Sequence, residues 1–140
     1  MRVISGGDTM TNANDIFDAA IHLMDEQNET NGETRTQDTA EYRYRTLNIL
    51  NTLRHEVYPY SDTYVVNEDG TRAICPKIES FEQALDIDDA IAGGVLPYGL
   101  AAHLLMGEND TMASFFNQRY SEMLYKLGSQ RTAVWEDIVV

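Results

Sequence analysis

The chain has one cysteine, one tryptophan, three prolines and only ten basic side chains, set against 23 acidic ones. With Cys75 alone, no internal disulfide can form, and a reducing compartment is the natural setting. The shortage of Lys and Arg leaves a net charge of −13. That balance excludes a domain that grips phosphate backbones over a broad surface, because such domains cluster cations. It equally disfavours docking on an anionic membrane. No run approaches the ~18 apolar residues of a membrane span. The opening MRVISGGDTM holds no apolar stretch of signal-peptide length. A soluble chain made in the cytosol is therefore expected. The acidity itself has a plain reading, solubility, and a sharper one: a surface that repels DNA or meets a basic partner.

Catalytic and metal signatures are also missing. His22, His55 and His103 each stand alone, and the residues three before them are Ala19, Thr52 and Leu100. A di-metal carboxylate bundle needs Glu-x-x-His there. Two Glu-x-x-Glu spacings occur, Glu26/Glu29 and Glu79/Glu82. Acidic pairs of this kind hold magnesium in helical nucleotide pyrophosphatases, but one pair lies at a helix end and the other beside a loop. Asn67, Asp69 and Gly70 match part of a calcium loop. With Gly70 at its sixth position the first would be Val65 and the twelfth Pro76, so the match fails. There is no phosphate-binding glycine loop, nucleophile elbow or Cys-x-x-Cys. The reading is no enzyme, no metal and no cofactor.

What is present is helical patterning. After a loose arm at 1–10, Thr11 or Asn12 opens a helix whose stripe is Ile16, Phe17, Ala20, Ile21, Leu23 and Met24. A polar loop around Asn31-Gly32 follows. The second helix is expected from Thr36 or Asp38, with Glu41 in capping-box spacing and Tyr44, Leu47, Leu50, Leu53 and Val57 facing inward. Pro59 ends it. Residues 60–85 read as an insertion. The β-prone runs 63–66 and 71–75 flank Asn67–Gly70, giving either a hairpin or an unpaired extended loop. Ile78, Phe81 and Leu85 should anchor this stretch on the bundle.

Residues 86–127 carry the densest apolar pattern. An acidic start at Asp86, Asp88 and Asp89 leads into a helix that is apolar on most of its circumference, and hence central. Pro97, following Gly93 and Gly94, places a kink or break there. Gly107 ends this helix, and Asn109 or Asp110 caps the next. Met112, Phe115, Phe116, Tyr120, Met123, Leu124 and Leu127 form its stripe, with Gly128 as a left-handed terminator. An extended tail, 129–140, carries Val134, Trp135, Ile138, Val139 and Val140, which should dock on the bundle, on a neighbour or on a sheet edge. The expected fold is mainly α. It is a four-helix bundle-like domain over 11–128 with a short extended or β-hairpin insertion at 60–85 and an extended C-terminal tail.

Four pieces, NDIFDAAIHLMDE, YRYRTLNILNTLRHEVYP, LDIDDAIAGGVLPYGLAAHLLMGEND and ASFFNQRYSEML, together resemble the head–tail connector (adaptor) proteins of tailed bacteriophages. The last two are the most distinctive, with a proline-kinked apolar helix, an acidic turn and an aromatic helix ending in RY-x-x-ML. The stretch 60–85 departs from the pattern, being longer and more strand-like than a minimal connector needs. The resemblance implies a structural virion protein whose copies, usually twelve, form a ring beneath the portal. Such a ring extends the DNA channel without sequence-specific binding and offers a platform to the next tail or stopper protein. It also implies a C-terminal segment reaching onto the portal, with no membrane partner. The alternative is a small acidic helical regulator, or DNA mimic, that binds a basic protein.

Overall fold

The computed structural model describes residues 11–64, 67–71 and 77–139, the last ten by backbone alone. The arm at 1–10 lies outside them. The fold is mainly helical, with the two halves of one broken helix counted as a single unit among four.

Helix α1 (Ala13–Met24) is opened by Asn12. The Asn12 Oδ1 accepts from the Asp15 backbone N–H at 3.0 Å, and the Asp15 carboxylate accepts from the Asn12 N–H at 3.1 Å. This reciprocal box satisfies two orphan donors of the first turn. The predicted stripe is buried, apart from the half-buried Leu23.

Helix α2 (Ala40–Val57) starts later than Thr36 or Asp38 and runs into a 3₁₀ turn at Tyr58–Tyr60. Thr39 precedes it without capping it. Its hydroxyl instead closes the loop, accepting from the Thr36 N–H at 3.0 Å and donating to the Thr34 carbonyl at 2.6 Å. The inward face also differs from expectation. Tyr44 is 82% exposed, while Tyr42, Thr46, Leu50, Leu53, Arg54 and Val57 are buried. Polar side chains made the difference. Thr46 donates to the Tyr42 carbonyl at 2.8 Å, so its hydroxyl is satisfied within the helix and its methyl is free to pack.

The central helix is broken into α3 (Asp89–Gly94) and α4 (Leu96–Leu105). Pro97 sits in the first turn of α4, where its missing N–H has no partner to lose. Leu96, Leu100, Ala101 and Leu104 are fully buried, and α4 packs against α1, α2, α3 and α5. Gly93 and Gly94 are exposed, with open space where a Cβ would stand, so neither brings in a neighbouring helix. That role falls to Gly99. A Cβ there would lie 2.9 Å from Tyr120 Cε1 and 3.0 Å from Leu53 Cδ1. Gly99→Ala is expected to destabilise by about 1–3 kcal/mol, because a rigid ring cannot retreat. A denaturant midpoint equal to wild type would show that the helices have room to part.

Gly107, at φ 85°, turns the chain into α5 (Asp110–Val139), which Asn109 caps through the Met112 N–H at 3.2 Å. Gly128 does not end α5, and the expected extended tail is helical backbone through Val139. No proline follows, and one interior glycine costs only about 1 kcal/mol against alanine.

The insertion contains no strand among the described residues. The runs 63–66 and 71–75 fall largely on residues 65–66 and 72–76, outside the described set. Between them a turn closes, with the Asn67 N–H donating to the Thr71 carbonyl and the Gly70 N–H to Asn67, both at 2.9 Å. Further on, the chain runs alongside the start of α1. Asn14 N–H donates to Phe81 O at 3.0 Å, Leu85 N–H to Thr11 O at 3.2 Å, and Asn12 bridges Ala84.

Candidate interaction surface

Four of the scarce cations bond to other parts of the molecule, with Arg54 buried, Arg43 and Arg45 half-buried and Arg35 exposed. Arg54, 1% exposed, donates from Nε to the Leu85 carbonyl at 2.9 Å and from Nη2 to the same oxygen. Arg45 reaches the Leu104 carbonyl at 3.1 Å, meeting an orphan acceptor at the end of α4. Arg43 lies over the Phe81 ring at 3.7 Å and the Phe17 ring at 5.0 Å, and donates to Asn14 Oδ1 at 2.6 Å. Arg35 pairs with Asp18 at 3.0 Å. Burial alone would raise the Asp18 carboxyl. Hydrogen bonds from Arg35 and Thr34, with the charges of Arg35 and Arg43, hold it below the usual carboxylate range. With Arg54 buried and Arg43 and Arg45 half-buried, less positive charge reaches the surface than composition alone implies.

Acid gathers at one end. Asp25, Glu26, Glu29 and Asp38 line an open cavity of about 500 Å³. Glu108, in the α4–α5 turn, accepts from the Tyr42 hydroxyl at 2.6 Å. Partial burial, then the charges of Glu108, Asp25 and Asp38, push the Glu26 carboxyl above the ordinary glutamate value. A carboxyl raised in the fold weakens the fold while ionised. The stability it withholds at neutral pH returns as pH falls through the folded pKa. Glu26→Gln is therefore expected to raise the melting temperature at neutral pH. Its advantage should vanish as the pH approaches the unfolded glutamate pKa. An advantage unchanged with pH would remove the charge explanation. Among the described residues no three His, Cys, Asp or Glu side chains are grouped to hold a metal ion.

The opposite character belongs to α5. Its inner face buries Ala113, Phe116 and Tyr120, and Gly128 still lies close to Tyr60. Tyr120, 4% exposed, has no hydrogen-bond partner for its hydroxyl among the described residues. Burial, and then the charge of Glu56, push its phenol up. Outside, Phe115 is 53% and Tyr125 77% exposed. Phe115 abuts Phe116, which meets Tyr98, and Arg119 stands 5.7 Å over the Tyr98 ring. At 1.5 Å per residue, α5 spans about 45 Å against about 15 Å for α4. The helix therefore outruns the element it packs on most.

The predicted docking residues fall on that distal stretch. Val134, Trp135, Ile138 and Val139 lie in the last turns of α5 on a backbone that continues the bundle helix, while Val140 lies outside the described residues. Helical register sets 134 and 138 in line with Phe116, Tyr120 and Leu127. Gly93, Gly94 and Pro97 stand at the α3–α4 break, away from this stripe in sequence. The internal arginines and the Tyr42–Glu108 tie were missed from sequence. Arg54, four residues after Leu50 and three before Val57 on the inward face of α2, was the available signal. No helix among the described residues is long and apolar enough to cross a membrane. No family model, curated protein or solved structure matches the chain.

Proposed function

We propose that the chain is a structural subunit of a phage head–tail connector. About twelve copies would ring the portal, carry the DNA channel onward and present a platform to the next tail or stopper protein. In this reading it is no enzyme, takes no cofactor and binds no membrane. It assembles in the host cytoplasm and ends in the virion at the head–tail interface. The observation that carries the proposal is α5, a helix three times the length of the α4 it packs on, whose last turns hold positions 134 and 138 in register with the buried stripe. Such an arm suits insertion into a portal or a neighbouring subunit. The net charge of −13, with Arg54 buried and Arg43 and Arg45 half-buried, supports the channel role, since a conduit that DNA slides through must not hold it.

Native mass spectrometry of the protein alone and mixed with the portal ring of the same genome tests this. Addition of about twelve copies supports the connector. Trp135→Ala should then abolish attachment while moving stability by no more than ~0.5 kcal/mol. Unfolding of that variant would instead assign Trp135 to the core. A second reading is favoured by the carboxylates gathered around Glu26, and it is an acidic regulator or DNA mimic binding a basic protein. A monomer that ignores the portal, survives loss of residues 129–140 and needs its surface carboxylates would put that reading first.

A further inference from the structure

Asn31 is the one asparagine in the sequence followed by glycine, and it sits in the exposed loop between α1 and α2. We propose that Asn31 is a spontaneous modification site, at which the side-chain amide is lost to give aspartate and isoaspartate. The Gly32 backbone nitrogen, giving up its proton, attacks Asn31 Cγ. The Cγ–Nδ2 bond breaks, and Nδ2 leaves with that proton as ammonia, closing a cyclic imide. Water then opens the imide. Attack at Cγ gives aspartate, and attack at the backbone carbonyl gives isoaspartate, with the peptide running through the side chain.

The loop favours the first step in three ways. Gly32 has no Cβ to obstruct its nitrogen, and its φ of 74° is a conformation few other residues share. Asn31 Oδ1 accepts from the Glu33 N–H at 3.0 Å. That bond holds Cγ against the following peptide and offers a donor to the oxygen on which charge develops. Water reaches the loop through a cavity of about 500 Å³ lined by Asn31, Gly32, Glu33, Asp18, His22 and Arg35. One bond opposes the reaction. The Gly32 N–H donates to the Asn28 carbonyl at 2.8 Å and must open before attack.

The two products differ in consequence. Aspartate keeps the acceptor for Glu33 and adds one negative charge beside Glu29 and Glu33. Isoaspartate inserts a carbon into the main chain between Asn28 and Glu33, whose N–H and carbonyl pair at 2.8 Å. It thereby disturbs the approach to Thr34 and Arg35, both of which hold Asp18 on α1.

The test is incubation of the full folded chain for days in mildly alkaline buffer, followed by peptide mapping that distinguishes aspartate from isoaspartate. Conversion at Asn31 is expected at least about tenfold faster than at any other asparagine, a barrier difference of about 1.4 kcal/mol. Gly32→Ala should slow it by a similar factor. Because that variant strains the loop, Asn31→Gln serves as a second, and should leave the mapped peptide unmodified with an unchanged circular dichroism spectrum. An Asn31 that stays intact in the folded chain, while urea-unfolded chain converts, would overturn the proposal and make the loop a guard. Equal conversion at several asparagines would overturn it too.

Discussion

Replacing Leu100 or Leu104 with alanine is expected to cost about 2–5 kcal/mol. Both side chains are fully buried on α4, the helix that the other elements surround. Removing either leaves a hole walled by rigid helices, so the lost transfer energy is joined by lost contacts that relaxation cannot restore. Chemical denaturation of the two variants is the check, with midpoints well below wild type and similar slopes. Wild-type midpoints for both would displace α4 from the centre of the core.

Arg54→Ala is expected to be comparably damaging, at roughly 3 kcal/mol or more. The guanidinium lies in the interior and anchors the Leu85 carbonyl just before Asp86, which takes the left-handed φ of 57°. Truncation strands that carbonyl and opens a cavity at once. Arg54→Met separates the two effects, since it restores most of the volume and none of the donors. Methionine should recover only part of the loss. Full recovery would mean that Arg54 matters for its bulk alone. The readout is the same denaturation midpoint, joined by hydrogen exchange at residues 85–89, which should quicken in both variants.

The fate of each element in the sequence reading follows from how local its cause is. The α1 cap lay within four residues of chain, and Asn12 and Asp15 suffice to write it. The break before α4 was legible because proline acts on its own backbone. Where the cause is distant, the pattern misled. Tyr44 looks like a stripe residue by spacing, yet Tyr42 is drawn inward because Glu108, 66 positions away, accepts its hydroxyl. Gly128 carries the signature of a helix end, but a terminator works only if the chain beyond it has somewhere better to go, and here it continues as helix. The β-prone composition around Asn67–Gly70 fits a hairpin or an unpaired loop equally, and the described part holds only a turn. The candidate surface was visible in part. Apolar residues near the C-terminus stood out, but the burial of Arg54 and partial burial of Arg43 and Arg45 depend on carbonyls and rings supplied by other elements.

One feature of the start of α1 bears on how the chain acquires its fold. The polar groups of Thr11 and Asn14 find their partners on Phe81, Leu85 and Asp89, some seventy residues later, with the Thr11 hydroxyl donating to Asp89 at 2.7 Å. A chain emerging from a ribosome exposes α1 well before those partners. Until residue 89 has cleared the exit tunnel, α1 has its own Asn12 cap and α2 to pack on but no seam to lie along, and the part of its stripe that α4 covers stands open to solvent. The α4–α5 hairpin, by contrast, is closed by neighbours in sequence and can assemble as soon as it is made. The earliest made of the described helices is thus among the last to be locked, which leaves part of its stripe available to a chaperone until residue 89 is out.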